Sequence, residues 1–261
     1  MSRVRTPSIA HFLLKMTLLQ AIFLGIVQGI TEFFPVSSSA HLQLTRWFLG
    51  LSEDLFFDLT CHFATLFALI IFLRKDILEV LKSPKKIALY ILALIPLIPA
   101  YFYLKPLREF LSSPPFLGYA LMLTGLTLFI ASKKKGVTDQ KKWQHMLCIG
   151  SIQTVALIPG ISRSGSTIAA ARVLGWNWMD AAKFSFLLAI PTILGGEMLE
   201  ILRGNIEASM DVGCYLGGFV ASFILGFVGV RAIFWIYEKE KVRPIAWYCL
   251  AVGLFALTFY G

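Results

Sequence analysis

Apolar residues run along this chain in long blocks separated by short charged loops. Blocks approaching the ~20 residues that carry a helix across a ~30 Å hydrocarbon layer stand at 55–73, 87–104, 116–131, 181–202, 212–237 and 245–260. They predict six crossing helices. Two regions differ, at about 17–51 and 143–175: each holds two short apolar runs split by Pro, Gly and Ser. These are too broken for two full crossings. Each predicts a re-entrant hairpin, helix in and helix out on one side, because irregular backbone at membrane depth is tolerated only where protein or a cavity surrounds it. The expected fold is an all-α polytopic membrane protein, six transmembrane helices plus two re-entrant helical hairpins, in a single membrane domain over 1–261.

Two broken hairpins, each followed by three crossings and entering from opposite sides, are the pattern of an inverted repeat with its site where the halves meet. The approximate halves are 17–131 and 143–260. A local echo supports them: Val27-Gln28 precedes Pro35-Val36-Ser37, and Ile152-Gln153 precedes Pro159-Gly160-Ile161-Ser162, with one residue of offset.

Composition agrees with the pattern: 57% of residues are hydrophobic and 15% charged, which excludes an ordinary soluble domain. The formal net charge of +9 does not point to nucleic acid, because the basic residues sit in short loops between spans. Under the predicted topology fifteen Lys and Arg, among them Lys133, Lys134, Lys135 and Lys141, fall on one face, and seven (Arg3, Arg5, Lys15, Arg46, Lys105, Arg108 and Arg203) on the other. The positive-inside bias assigns the first face to the cytoplasm, so the first hairpin opens outward and the second enters from the cytoplasm. The head, residues 1–15, has no small-residue cleavage site after it and reads as retained. Cys61, Cys148, Cys214 and Cys249 show no CxxC or metal spacing and read as packing residues.

The candidate chemistry lies in the two interruptions. The first is Gln28-Gly-Ile-Thr-Glu32-Phe-Phe-Pro35-Val-Ser37-Ser38-Ser39-Ala-His41, the second Pro159-Gly-Ile-Ser162-Arg163-Ser164-Gly-Ser-Thr167. Breaking a helix with Pro and Gly frees backbone N–H groups, and the start of the next half-helix carries about half a positive charge; such a start is an anion site. Arg163 adds a permanently charged fork suited to phosphate oxygens. Gln28 and Glu32, spaced i, i+4, share a helix face, and a carboxylate at membrane depth is functional or paired by default. Glu32 is thus a candidate to orient His41, hold a cation or neutralise Arg163. His41 is a proton carrier within reach of Ser38, able to activate that hydroxyl or a water. Asp58 and His62, another i, i+4 pair, read as structural or supporting; Glu197 and Glu200 read as a solvated outer edge. Pro96, Pro99 and Pro191 predict kinks. With no HxxxH, HExxH or DDxxD, a divalent ion would depend on Glu32 and the substrate's phosphates, the usual manner for Mg²⁺. GxxxxGK[ST], GxGxxG and the SRxxxxxHxxxD membrane-phosphatase pattern are absent too.

Both interruptions resemble signatures of the bacterial undecaprenyl-diphosphate phosphatases, the bacitracin-resistance family: (E/Q)GxTEFxPVSSxxH for the first and PGxSRSGxT for the second. The likeness extends through Phe184-Ser-Phe-Leu-Leu-Ala-Ile-Pro191 to the C-terminal spans. It implies the same six-helix, two-hairpin inverted repeat opening outward. It also implies roles for Gln28, Glu32, Ser38, His41 and Arg163, with Ser162, Ser164 and Thr167 in a phosphate cradle; Ser37 and Ser39, from their place in the serine run after Pro35, are further candidate substrate-binding hydroxyls. Many members carry Glu where this chain has Gln28, which leaves any Mg²⁺ or Ca²⁺ here more dependent on Glu32. Ser39-Ala40 stands where Thr-Gly is more usual.

The activity expected is hydrolysis of a polyprenyl diphosphate to its monophosphate and inorganic phosphate in the bacterial plasma (inner) membrane, recycling the lipid carrier of peptidoglycan synthesis at the outer face. Attack by Ser38 and direct attack by water both remain open. The alternatives are a polyprenyl-phosphate transporter or flippase using the same site, since broken helices in inverted repeats also build transporters, and a nonenzymatic lipid-binding subunit. The partners expected are the lipid substrate and the membrane, not nucleic acid; oligomeric state is open, a homodimer included.

Overall fold

A computed structural model describes residues 16–111, 114–136, 142–204 and 208–260. Arg3, Arg5, Lys15 and Lys141, counted above for the charge bias, lie outside them. All regular structure among the described residues is helical. The elements are α1 (Leu18–Phe33), α2 (Ser38–Leu49), α3 (Leu55–Phe72), α4 (Arg74–Leu81), α5 (Pro84–Leu94), α6 (Leu97–Tyr103), α7 (Lys105–Leu111), α8 (Pro114–Ser132), α9 (Trp143–Gln153), α10 (Arg163–Val173), α11 (Trp178–Leu202), α12 (Val212–Glu238) and α13 (Arg243–Tyr260).

Four stretches among the described residues are long and apolar enough to cross a membrane: Leu55–Phe72, Pro84–Tyr103, Trp178–Leu202 and Val212–Glu238. Phe116–Ser132 and Arg243–Thr258 are shorter apolar helices at the other two predicted spans. The second stretch is divided into α5 and α6 beside Pro96, where the ring removes a backbone donor and crowds the preceding turn. Pro191 does not divide α11, which runs unbroken through it. The sequence pattern missed α4 and α7; α4 buries no residue and so lacks the core stripe that marks a helix in a pattern of apolar positions.

Each polar interruption folds as a pair of helices packed on each other, α1 with α2 and α9 with α10. Ser37 and Ser162 cap the second helix of each pair, accepting from Ala40 N and Gly165 N. Eight of the eleven residues of α10 are buried, although eleven residues span only ~16 Å, well short of a bilayer. Gly160, at φ +91°, makes the turn before it; a Cβ there would stand 2.8 Å from the Ala120 methyl.

The helices pack in matched pairs. α1 lies along α12 and α9 along α5; α3 meets α12 as α11 meets α5; α8 packs on α13. The α1–α12 seam is close because both faces are small. A Cβ on Gly25 would stand 2.5 Å from Gly218 O, and one on Gly29 2.8 Å from Ser222 O; Ser222 Oγ donates to Gly25 O at 3.0 Å. Between helices in lipid, where apolar contact brings no gain over the surrounding tails, such backbone approach is what holds the pair. Gly29→Val is accordingly expected to destabilise the protein by about 3 kcal/mol, the upper range for overpacking, read as a lowered thermal midpoint in detergent; an unchanged midpoint would show that the seam yields.

The main buried cluster joins Phe33, Leu69, Leu128, Trp176, Phe186 and Tyr237 and so binds both hairpins to α3, α8, α11 and α12. Cys61, Cys214 and Cys249 are buried, as a packing role requires, whereas Cys148 on α9 is exposed.

Candidate active site

The starts of α2 and α10 meet across one cavity of about 190 Å³. Ser37, Ser38 and Ser39 come from the first and Ser162, Arg163 and Ser164 from the second, in each case the cap residue and the first two helical positions. Two positive helix ends therefore share one space. Ser37 sits at φ 67°, a left-handed conformation uncommon for a residue with a side chain and, at a site, typically held by its surroundings. It turns the chain abruptly from α1 into α2.

Glu32, at the end of α1, is the centre of the polar network. Its Oε2 accepts from Ser38 Oγ at 2.7 Å and from Gln28 Nε2 at 3.0 Å; its Oε1 accepts from Arg163 Nη2 at 3.0 Å. The carboxylate is 7% exposed and the guanidinium 18%. A pair so far out of water needs both charges and further hydrogen bonds to be tolerated. Arg163 Nη1 and Gln28 Oε1 are buried with no partner. A buried donor on a cationic group is costly to leave unmade, and Arg163 lines the cavity, so its guanidinium keeps donor capacity unused by Glu32.

Three predicted site residues, His41, Thr167 and Gln28, do not line this cavity. His41, expected to exchange protons with Ser38, has both ring nitrogens engaged: Nδ1 donates to Ser37 O at 2.8 Å, and Nε2 accepts from Tyr248 OH at 2.8 Å. The rings stack, with centroids 5.6 Å apart. Sequence spacing put His41 near Ser38, but one helical turn rotates its ring toward α13, where it fastens the strained Ser37 turn. Thr167 faces α11, its Oγ1 2.6 Å from Ser185 Oγ and donating to Arg163 O at 2.9 Å; it supports the backbone that carries Arg163. Gln28 is fully buried behind Glu32.

The cavity also holds residues given lesser parts by the sequence. His62 on α3 and Glu197 on α11 line it and pair directly, Nδ1 to Oε1 at 2.8 Å. Glu197 is thus not a solvated edge: its side chain is 11% exposed. Asp58 does not pair with His62 but forms an ion pair with the buried Arg46. Partners 135 positions apart leave no trace in local spacing. Only the presence of an ionisable residue inside an apolar block signalled either one.

A larger cavity, about 480 Å³, lies between α4, α5 and α11. Its three lysines and three carboxylates balance, with Lys183 paired to Asp76 at 3.0 Å and Lys86 to Glu79, and it contains neither the start of α2 nor that of α10. Size alone does not make it the reacting site.

Relatives place these features in one family. The model of the family described as bacitracin resistance protein BacA matches residues 21–255. A protein of Protochlamydia amoebophila named undecaprenyl-diphosphatase is 40% identical over 94% of this chain and 99% of its own. Proteins of the same name from Christiangramia forsetii and Pelobacter propionicus are 35% and 36% identical, over 94% and 91% of this chain and 98% and 95% of their own. With the whole cavity, the second hairpin and all but the first three residues of α1 inside the matched region, this chain belongs to the bacitracin resistance protein BacA family.

Proposed function

We infer that this chain is an undecaprenyl-diphosphate phosphatase, hydrolysing undecaprenyl diphosphate to the monophosphate and inorganic phosphate. The observation that carries this is Arg163, paired to Glu32 through Nη2 while Nη1 stands free, in a cavity framed by two helix starts. A terminal phosphate fills that place with the charge and geometry the donors lack.

Ser38 is the nucleophile in this scheme. Its proton already lies on the path to Glu32 Oε2, so attack on the terminal phosphorus forms the Oγ–P bond as Glu32 takes the proton and the anhydride P–O bond breaks. Undecaprenyl monophosphate leaves. Water then attacks the phosphoserine, the Oγ–P bond breaks as Ser38 recovers its proton from Glu32, and inorganic phosphate departs with the oxygen and both protons of the water. Arg163 and the amides at both helix starts neutralise the charge on the transferred oxygens, the main task in phosphoryl transfer. His41, through Ser37, holds the start of α2 in place.

A divalent ion fits this site in one manner. Among the described residues no group of three or more His, Cys, Asp or Glu forms a cage. The lone pairs of Glu32 Oε2 are taken by Ser38 and Gln28, while Oε1 has one donor and room for another partner. Glu32 would give one ligand and the diphosphate the rest, the usual arrangement for Mg²⁺; the ion would add Lewis-acid neutralisation of the diphosphate.

The matched packing supports the inverted repeat. Exchanging the halves turns α1 on α12 into α9 on α5, and α3 on α12 into α11 on α5. Gln28 precedes its cap Ser37 by the same interval as Gln153 precedes Ser162. Under that symmetry α3, α5–α6, α8, α11, α12 and α13 are the six crossings and the two hairpins are re-entrant. Arg46, among the seven, and Arg172, among the fifteen, are buried; without them the asymmetry becomes fourteen to six, which still supports an opening of the first hairpin at the outer face of the plasma membrane.

Purified protein in detergent with a polyprenyl diphosphate is expected to release phosphate, and chelation of divalent ions to lower the rate at least about tenfold, the loss of one strong charge interaction. Folded protein that releases none with Mg²⁺, Ca²⁺ or any chain length would overturn the enzyme in favour of translocation, which leaves the diphosphate intact.

A further inference from the structure

The cavity contains two carboxylates, Glu32 and Glu197, and one guanidinium, Arg163. With a neutral imidazole at His62 its side chains sum to one negative charge, a poor welcome for a diphosphate. The neighbouring ion pair, Arg46 with Asp58 one turn before His62 on α3, is internally balanced. His62 is therefore the group that decides whether the site is neutral when substrate enters. Glu197 fixes one side of its ring, at Nδ1. No hydrogen bond engages Nε2 among the described residues, and the residue lines the cavity.

We propose that His62, held by Glu197, binds the lipid-linked phosphate of the substrate, while Arg163 and the two helix starts bind the terminal one. This assignment rests on the phosphatase reading above. Between Glu197 on one side and an entering phosphate on the other, the ring is a cation that donates from both nitrogens. Glu197 is a positioning residue and touches no substrate.

Which phosphate meets which group follows from the surroundings. Beside the pair runs an apolar groove of about 460 Å³ between α3 and α11, lined by Phe56, Leu59, Phe63 and Ile201. Phe63 follows His62 in the chain, and Ile201 stands one turn beyond Glu197. A prenyl tail in this groove brings the phosphate attached to it to His62 first. The second phosphate then reaches deeper, to Ser38 and Arg163. When the anhydride breaks, the leaving monophosphate is the group in contact with the imidazolium, so the charge that appears on its oxygen forms next to a donor.

The two products thus report on two subsites, and binding of each by the full chain in detergent tests the assignment without relying on turnover. Calorimetry with polyprenyl monophosphate and with inorganic phosphate is expected to show His62→Ala weakening the first about tenfold and the second less than about twofold, the tenfold corresponding to one charge-assisted contact. His62→Gln, which keeps an N–H donor, is expected to recover part of the loss. Glu197→Gln should weaken monophosphate binding in the same direction with phosphate binding kept, and that retained binding shows the site still folded. Equal weakening of both probes, no change in either, or failure of the wild type to bind the monophosphate would overturn the assignment. A wild type that binds the monophosphate through His62 yet releases no phosphate would instead overturn the enzymatic reading alone.

Discussion

Arg163→Ala is expected to lower phosphate release about a thousandfold or more, the scale set by removing an arginine from the transferred phosphoryl group, or roughly 4 kcal/mol of barrier. Two losses combine. The transferred oxygens lose the free Nη1 and much of their charge compensation, and Glu32 is left as a buried carboxylate without its cation. The second loss is a stability effect, about 3–5 kcal/mol for breaking one side of a buried pair. The double variant Glu32→Gln with Arg163→Met separates them, because it removes both charges together. It should regain thermal stability and stay inactive. Arg163→Lys keeps a charge but loses the planar fork and is expected to fall about a hundredfold. An Arg163→Ala protein that melts like the wild type and turns over within tenfold of it would remove the arginine from the chemistry.

Ser38→Ala is expected to be still more damaging to turnover, about 10⁴-fold or worse as for other enzymes stripped of their nucleophile, yet mild for stability. Only one hydroxyl is lost, and Glu32 Oε2 retains its bond from Gln28. That contrast with Arg163→Ala is itself informative, since a purely structural serine would move both quantities or neither. Acid-quenched wild type should carry phosphate on Ser38. A Ser38→Ala protein keeping more than about a tenth of wild-type activity, well above the residual left when a nucleophile is removed, would transfer the attack to water and leave Ser38 as an orienting group for Glu32.

Much of the candidate site was legible because its constraints are local. Gln28 and Glu32 face one way through the i, i+4 geometry of α1. The caps at Ser37 and Ser162 follow from hydroxyl side chains placed just before apolar helical runs. Arg163 in such surroundings required an anionic partner, and Glu32 is that partner. His41 shows where the same reasoning ends: spacing from Ser38 set its neighbourhood but not the direction of its ring, which Tyr248 on α13 decides. Glu197 shows the limit again. Its glycine-flanked position near a span end suggested water, whereas α3 lies against that face and supplies His62.

Sequence by itself determined the membrane class, the helical blocks, the two breaks and most of the polar residues that line the candidate site. The physical reason is that a hydrocarbon solvent forces backbone hydrogen bonds within each segment and makes every polar interruption expensive, so one-dimensional patterning records both. Only the tertiary structure decided which helix faces which. The convergence of α2 and α10 on one cavity, the commitment of His41 to Tyr248, and the pairing of His62 with Glu197 depend on helix rotation and on backbone approach at seams such as Gly29 against Ser222. Those contacts join residues more than a hundred positions apart, and no local preference encodes them.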